Sequence, residues 1–416
     1  MLLKYSKIKL KNGFKIYHIP VNKGSNVISI DLFYKVGSRN EVMGKSGIAH
    51  MLEHLNFKST KNLKAGEFDK IVKGFGGINN ASTGFDYTHY FVKCSKQNLD
   101  KSLGLYADIM ANLSLKDKEF QPERNVVLEE RLWRTDNNPI GFLYFTLFNT
   151  AFTYHPYHWT PIGFIEDIKN WTIEDIKEFH SIFYQPKNAI LLISGDIDKK
   201  TAFELGKKHF EEIKNSKDIP NIHCVEPVQN GAKRVEIYKE SEVEMIAIAF
   251  KAPPFNHQDQ VALGAISEYL SSGKSSVMHR ILVDEKCLVN QIYAYNMDNI
   301  DEGLFIIIAV CNPGVKAELV EKEIHQILES IKKENIDQDE LTKIKNSIKS
   351  DFIHSFGSAS RVANLYGDFL IKGDIKPLFE LQEKIENLKG KDINEISKKY
   401  FTDRASTTVI LRKDQK

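Results

Sequence analysis

Apolar residues recur along the chain in two alternating patterns: amphipathic stretches with a three-to-four-residue period, and short, almost unbroken apolar runs. The first pattern predicts helices packed by one face, the second buried strands. "IEDIKEFHSIFYQPKNAILLISGD", beginning at Ile173, reads as helix, turn and strand, and "GKDINEISKKYFTDRASTTVILRKD", beginning at Gly390, reads the same way. Aligning Asp175 with Asp392 gives an offset of 217 (392 − 175) and pairs Ile176 with Ile393, Glu178 with Glu395 and Phe183 with Tyr400. "DYTHYFVKCSKQNLDKSLGLYADIMANL" is echoed by "EGLFIIIAVCNPGVKAELVEKEIHQILESI", each a strand followed by an amphipathic helix. A third correspondence, at an offset of 216 (265 − 49), sets "AHMLEHLNFKST" against "AISEYLSSGKSS".

The chain therefore reads twice. Each half mixes strands and helices with hairpin-like pairings, which predicts an α+β fold. It is expected to hold two homologous mixed α/β halves, antiparallel-rich sheets with helices packed on them, related by internal duplication. The polar segment 214–234 holds two prolines and a glycine and shows no period, so it marks the join. The expected division is 1–215, a linker at 216–232, and 233–416. A chain of 416 residues is also too long for one compact core.

Composition removes several functions. The net charge is +2 with both signs interspersed, which argues for no nucleic acid and no anionic membrane surface. No apolar run reaches membrane-spanning length. Cys94, Cys224, Cys287 and Cys311 form no C-x-x-C pair and read as reduced thiols. Lysines interrupt the N-terminal stretch where a signal peptide needs a continuous apolar run, so a cytoplasmic location is expected.

The candidate chemistry sits in "GIAHMLEHLNFKST", residues 47–60. On a helix, His50 and His54 lie one turn apart on the same face and can grip one ion. Glu53, at i+3 from His50, projects beside them, where a base acting on metal-activated water has to sit. The order matches the H-x-x-E-H pattern of inverted zinc enzymes. In the second half, the same positions fall on Ile266, Tyr269 and Leu270, so only the first half can hold metal. Two histidines leave a catalytic zinc one protein ligand short. Downstream, "FQPERNVVLEERLWRTDNNP" places Glu123 and Glu130 seven apart, on one face of a helix that Pro122 can start. A carboxylate from this helix can complete the ligand set, and a second can orient a ligand or the water from behind.

Together these motifs resemble the pitrilysin family of inverted-motif zinc endopeptidases, in the branch of bacterial zinc proteases and mitochondrial processing peptidases. The family motif is H-x-x-E-H, followed some six dozen residues later by a glutamate in a segment like E-R-x-x-V-x-x-E. "ERNVVLEE" is similar to it: Glu123 opens the segment, and Glu130 lies 76 positions (130 − 54) after His54. Glu129 is the adjacent alternative, and the segment register favours Glu130. "GGINNASTGFDYTHYF" and "HPYHWTPIGF" are similar to further family segments, so the resemblance spans nearly the whole chain. It implies that His50, His54 and Glu130 hold Zn2+, that Glu53 is the catalytic base, and that Glu123 is the acidic residue behind the ligands. It also implies that an edge strand containing Asn80 and Ala81 binds extended peptide substrates by backbone pairing.

One departure concerns the second half. The family's substrate-binding arginine and tyrosine, which help stabilise the oxyanion, fall on Val283 and Asn290 in "SSVMHRILVDEKCLVN". Neither supplies a charged or phenolic donor; Arg280 or Tyr293, nearby, has the chemistry to substitute. Family members enclose substrate in a chamber of four such domains, and this chain supplies two. The implied assembly is a homodimer, or a heterodimer with a related subunit that carries the arginine and tyrosine.

Overall fold

The computed structural model describes residues 3–414. It contains two compact units, each built on one sheet. The first sheet has six strands: β1 (Ser6–Lys9), β2 (Lys15–Pro20), β3 (Val27–Tyr34), β4 (Ile78–Thr83), β5 (Thr88–Ser95) and β6 (Ala189–Gly195). The second has five: β7 (Lys233–Lys239), β8 (Met245–Ala252), β9 (Val289–Asn296), β10 (Gly303–Cys311) and β11 (Ser406–Lys413).

The orders are β1-β2-β6-β3-β5-β4 and β7-β11-β8-β10-β9. Without β1, they superimpose position for position: β2 on β7, β6 on β11, β3 on β8, β5 on β10, β4 on β9. Each sheet also holds one parallel pair, β2 with β6 and β7 with β11, among antiparallel neighbours. The duplication read from the offsets of 216 and 217 is thus a duplication of topology.

The units interleave along the chain. The first comprises residues up to Glu129, Trp159–His223 and Ile353–Leu378; the second takes Glu130–His158, Cys224–Phe352 and the chain from Phe379. The cause lies in the strands. β6 is buried at every residue and β3 at nearly every one, so both sheet faces need a cover. One face of β3 sends Ile28, Ile30, Leu32 and Tyr34 into a core shared with Met51, Leu52 and Leu55. Helix Ala359–Lys372, from late in the sequence, packs on β3 and β6. Gly367 permits that approach, because a Cβ there would lie 2.3 Å from the Phe33 ring. In the second unit the exchange is reciprocal: helix Pro139–Ala151, from early in the sequence, packs on β7, β8 and β11. Residues 211–232 form neither helix nor strand.

Candidate metal centre

The motif folds as the histidine helix, Ile48–Asn56. Its apolar residues Ile48, Ala49, Met51, Leu52 and Leu55 are buried, which turns the face carrying His50, Glu53 and His54 away from the core. Gly47 starts the helix with φ +84°, and a Cβ there would lie 2.5 Å from the carbonyl oxygen of Ile162. Only glycine fits both constraints. Its amide and that of Ala49 donate to the Glu41 carboxyl, each at 2.8 Å.

The glutamate helix runs Asp117–Arg131. It begins five residues before Pro122, which lies inside it rather than at its start. Phe120, fully buried, anchors the turn that precedes the proline. Glu129 is exposed and Glu130 half-buried. His50, His54 and Glu130 come together: one ligand atom from each lies within 4.8 Å of the others. No other such group of three occurs among the described residues. Two imidazoles and one carboxylate could hold a metal ion, and they are donor types that zinc accepts.

The surroundings tune these donors. His54 Nδ1 lies 2.9 Å from Glu123 Oε1, and Lys58 Nζ lies 2.5 Å from Glu123 Oε2. Burial pushes the Glu123 carboxyl up, but the hydrogen bonds of His54 and Lys58 and the lysine charge outweigh it and hold it below its ordinary value. An ionised carboxylate only accepts, so Nδ1 of His54 is the donor and Nε2 keeps the lone pair for a metal. Arg134 Nε lies 2.9 Å from Glu130 Oε1, one turn along. Thr83 Oγ1, at the end of β4, donates to Glu53 Oε2.

β4 is the edge of the first sheet and pairs only with β5. Asn80 is exposed on it, and Ala81 is half-buried against the core. In the second unit, Val283 packs on the apolar core, and Asn290 is exposed at the start of edge strand β9. Arg280 is exposed, 4.0 Å from Glu285; Tyr293 is 52% exposed and donates to Gln291. Sequence reading missed Lys58, Arg134, Thr83 and Glu41. Lys58 and Arg134 stand at i+4 from His54 and Glu130, a spacing that could have found them. Thr83 meets the site only through tertiary folding, and Glu41, six residues before Gly47, is held there by Trp159, 118 residues away.

Residues 19–155 match the model of insulinase, peptidase family M16, and residues 170–348 match that of the peptidase M16 inactive domain. The zinc protease PqqE of Helicobacter pylori is 55% identical over 414 residues, 99% of this chain and 93% of that protein. A crystal structure of a protease from Helicobacter pylori superimposes with a TM-score of 0.97 at 55% identity, covering 99% of this chain and 100% of the other. The bovine mitochondrial-processing peptidase subunit beta is 24% identical over 410 residues, 95% of this chain and 82% of that protein. With the inverted motif on one helix, its glutamate on a second, and this identity along nearly the whole length, the chain belongs to the M16 family, the pitrilysin-type zinc proteases.

Proposed function

We propose that the protein is a zinc-dependent endopeptidase that cleaves short or unfolded peptides. The observation that carries this reading is the meeting of His50, His54 and Glu130, with Glu53 on the same helix as the two histidines. Zinc, when bound, supplies a Lewis acid that brings water acidity towards neutrality. Glu53 takes the proton from the attacking water and delivers it to the leaving amine. The Thr83 hydroxyl fixes one oxygen of the Glu53 carboxylate during this transfer. Glu123 fixes the His54 ring, and Lys58 fixes Glu123. The free edge of β4 takes the substrate as an added strand, with Asn80 and Ala81 at the contact. Backbone pairing of this kind reads extension rather than sequence, which suits unfolded substrates. Cys94, Cys224, Cys287 and Cys311 are all unpaired thiols, in keeping with a reducing cytoplasm. Among the described residues, no helix is long and apolar enough to cross a membrane.

The test is turnover of a peptide library by zinc-loaded protein and by Glu53→Gln. The variant should keep its zinc and lose about 10²–10⁴-fold in rate. Equal turnover by both proteins would defeat the assignment.

Val283 and Asn290 favour a second reading, a subunit of a two-chain peptidase. The bovine relative is itself named as a subunit. Loss of an oxyanion donor costs about 10²–10³-fold in rate. On this reading the isolated chain, even as a homodimer, is weakly active, and a related subunit with arginine and tyrosine raises the rate. High activity of the homodimer that disappears in Arg280→Ala or Tyr293→Phe would assign the duty to those residues instead.

A further inference from the structure

His50 is the third residue of the histidine helix, so this ligand sits on the first turn. That turn has a structural weakness. The first amides of any helix lack partners within it, and the residue before the helix ordinarily supplies a side-chain acceptor. Here that residue is Gly47, which has no side chain, and the turn is capped from outside. Glu41 Oε1 accepts from the amide of Ala49, directly before His50, and Glu41 Oε2 accepts from Gly47. Oε2 also accepts from the indole Nε1 of Trp159 at 2.8 Å. Glu41 is 4% exposed, Gly47 is buried and Trp159 is 4% exposed, so water cannot take over these bonds.

The neighbouring loop closes around the same turn. Asp167 accepts from the amide and hydroxyl of Ser46, and the Ser46 hydroxyl accepts from the amide of Phe164. Gly163, at φ +78°, presses on Ser46 so closely that a Cβ would lie 2.5 Å from its carbonyl. The loop therefore seats the ligand-bearing turn through backbone groups.

We infer that Glu41, clamped by Trp159, is the positioning residue of the metal centre: it fixes the first turn of the histidine helix so that His50 meets His54 and Glu130. This rests on the zinc reading above. Burial pushes the Glu41 carboxyl up to about 8, against the pull of the Ala49 and Gly47 amides and the Trp159 indole. Three N–H donors converge on this one buried carboxyl, and that geometry fixes its orientation and the turn it caps.

The experiment measures zinc affinity by chelator competition, and melting with and without zinc, for Glu41→Ala, Glu41→Gln and Trp159→Phe. Glu41→Gln keeps the size but points an amide N–H at donors. Zinc affinity should fall about 10–100-fold in the Glu41 variants, the range for residues that orient ligands, and by a smaller factor in Trp159→Phe. The gain in melting temperature on adding zinc should shrink in parallel. The control is Glu226→Gln, in the second unit, where Glu226 accepts from the amides of Thr153, Tyr154 and His155. It should lower the melting temperature and leave zinc affinity unchanged. If the Glu41 variants melt lower by equal amounts with and without zinc, at unchanged zinc affinity, Glu41 is structural only and the inference fails. If Glu41→Ala does not fold, unchanged affinity in Trp159→Phe and Glu41→Gln overturns it equally. Absence of zinc binding by the unaltered protein is a separate result, which defeats the functional reading itself.

Discussion

The same helix occurs twice in this molecule, once with a polar outward face and once with that face packed. In the first unit it carries His50, Glu53 and His54 on its outward face. In the second, helix Gln260–Ser271 carries Ile266 and Leu270 in the core, with Tyr269 packed against it. Their starts differ as well. The first is capped by a buried carboxyl from outside, whereas the acid before the second, Asp259, turns to Lys399 and Tyr400. Sheet order survived the duplication because the strands pair with one another and bury a core between sheet and helices. Helix faces were free to diverge, since one polar face costs little when it stays near solvent. The difference teaches that the fold does not make the site; a few side chains on one of two equivalent helices do.

Exchanging the two helices' chemistry is the most severe way to break that comparison. Leu270→His copies His54 into the second unit, where Leu270 is fully buried. Lost packing and an unpartnered polar ring should cost about 3–5 kcal/mol, without creating a metal site. The reverse change, His54→Leu, should abolish zinc binding but leave the zinc-free protein within about 1 kcal/mol of the original, because His54 is half-exposed. Urea denaturation of both variants, with and without zinc, checks this. Similar destabilisation by the two changes would mean that the helices are not opposites.

The ligand register comes next in size. Glu130→Gln should weaken zinc on the order of 100-fold, roughly one ligand's share of a zinc site. Glu129→Gln should change it little, since Glu129 is exposed and the two residues point about 100° apart on the helix. Zinc titration of both variants checks it; comparable losses would show that the register assigning Glu130 as ligand is wrong.

Much of this was legible in the sequence, and the parts that were not share a cause. The repeated apolar periods announced both sheets, and the five-residue motif announced the histidine helix, because each depends on local order. The interleaving of the units was hidden. Nothing in "PIGFLYFTLFNTA" or "ASRVANLYGDFLIK" says which sheet a helix will cover, and only the Phe33–Gly367 contact shows why the late helix lies on the early sheet. The proline misled for a similar reason. Pro122 is a fair start signal locally, but burial of Phe120 holds the preceding turn helical. Glu41 lay six residues before Gly47, in plain view, yet its partner Trp159 is 118 residues away from it.

The start of the histidine helix gives a smaller effect. Gly47→Ala forces a side chain into a left-handed backbone and against Ile162, which should cost about 2 kcal/mol. Gly264, in the second unit's helix, meets nothing within 4 Å and lies in an ordinary helical interior. Gly264→Ala should therefore be neutral or stabilising by about 0.5–1 kcal/mol. Thermal melts of the two variants sharpen the contrast between the glycine that starts the histidine helix and one in a helix interior.

The smallest effect separates the units by acidity. In the first, burial pulls the His180 imidazole down to about 4. Its Nε2 has no hydrogen-bond partner among the described residues, and its ring stacks on Tyr184. In the second, hydrogen bonds from Arg412 hold Glu318 at about 2 and Glu236 below its ordinary value. Both kinds of group bind fewer protons folded than unfolded, so stability falls as pH falls, but over different windows. For His180 the loss begins near its unfolded value of about 6.5 and runs to about 4; for the glutamates it begins only near 4.5. Between pH 7.5 and 5.5, His180 alone should cost about 1 kcal/mol. Glu41, pushed up to about 8, gives the opposite slope over this range, so the His180 contribution is read as a difference: between pH 7.5 and 5.5 zinc-free His180→Phe should lose about 1 kcal/mol less stability than the unaltered protein, while Arg412→Gln should not differ from it. Below pH 4.5 the order reverses, with Arg412→Gln flattening the remaining slope by a smaller amount because its partners are solvated. An unchanged slope between pH 7.5 and 5.5 in His180→Phe would show that the ring is hydrated in solution and that the two units do not differ in this respect.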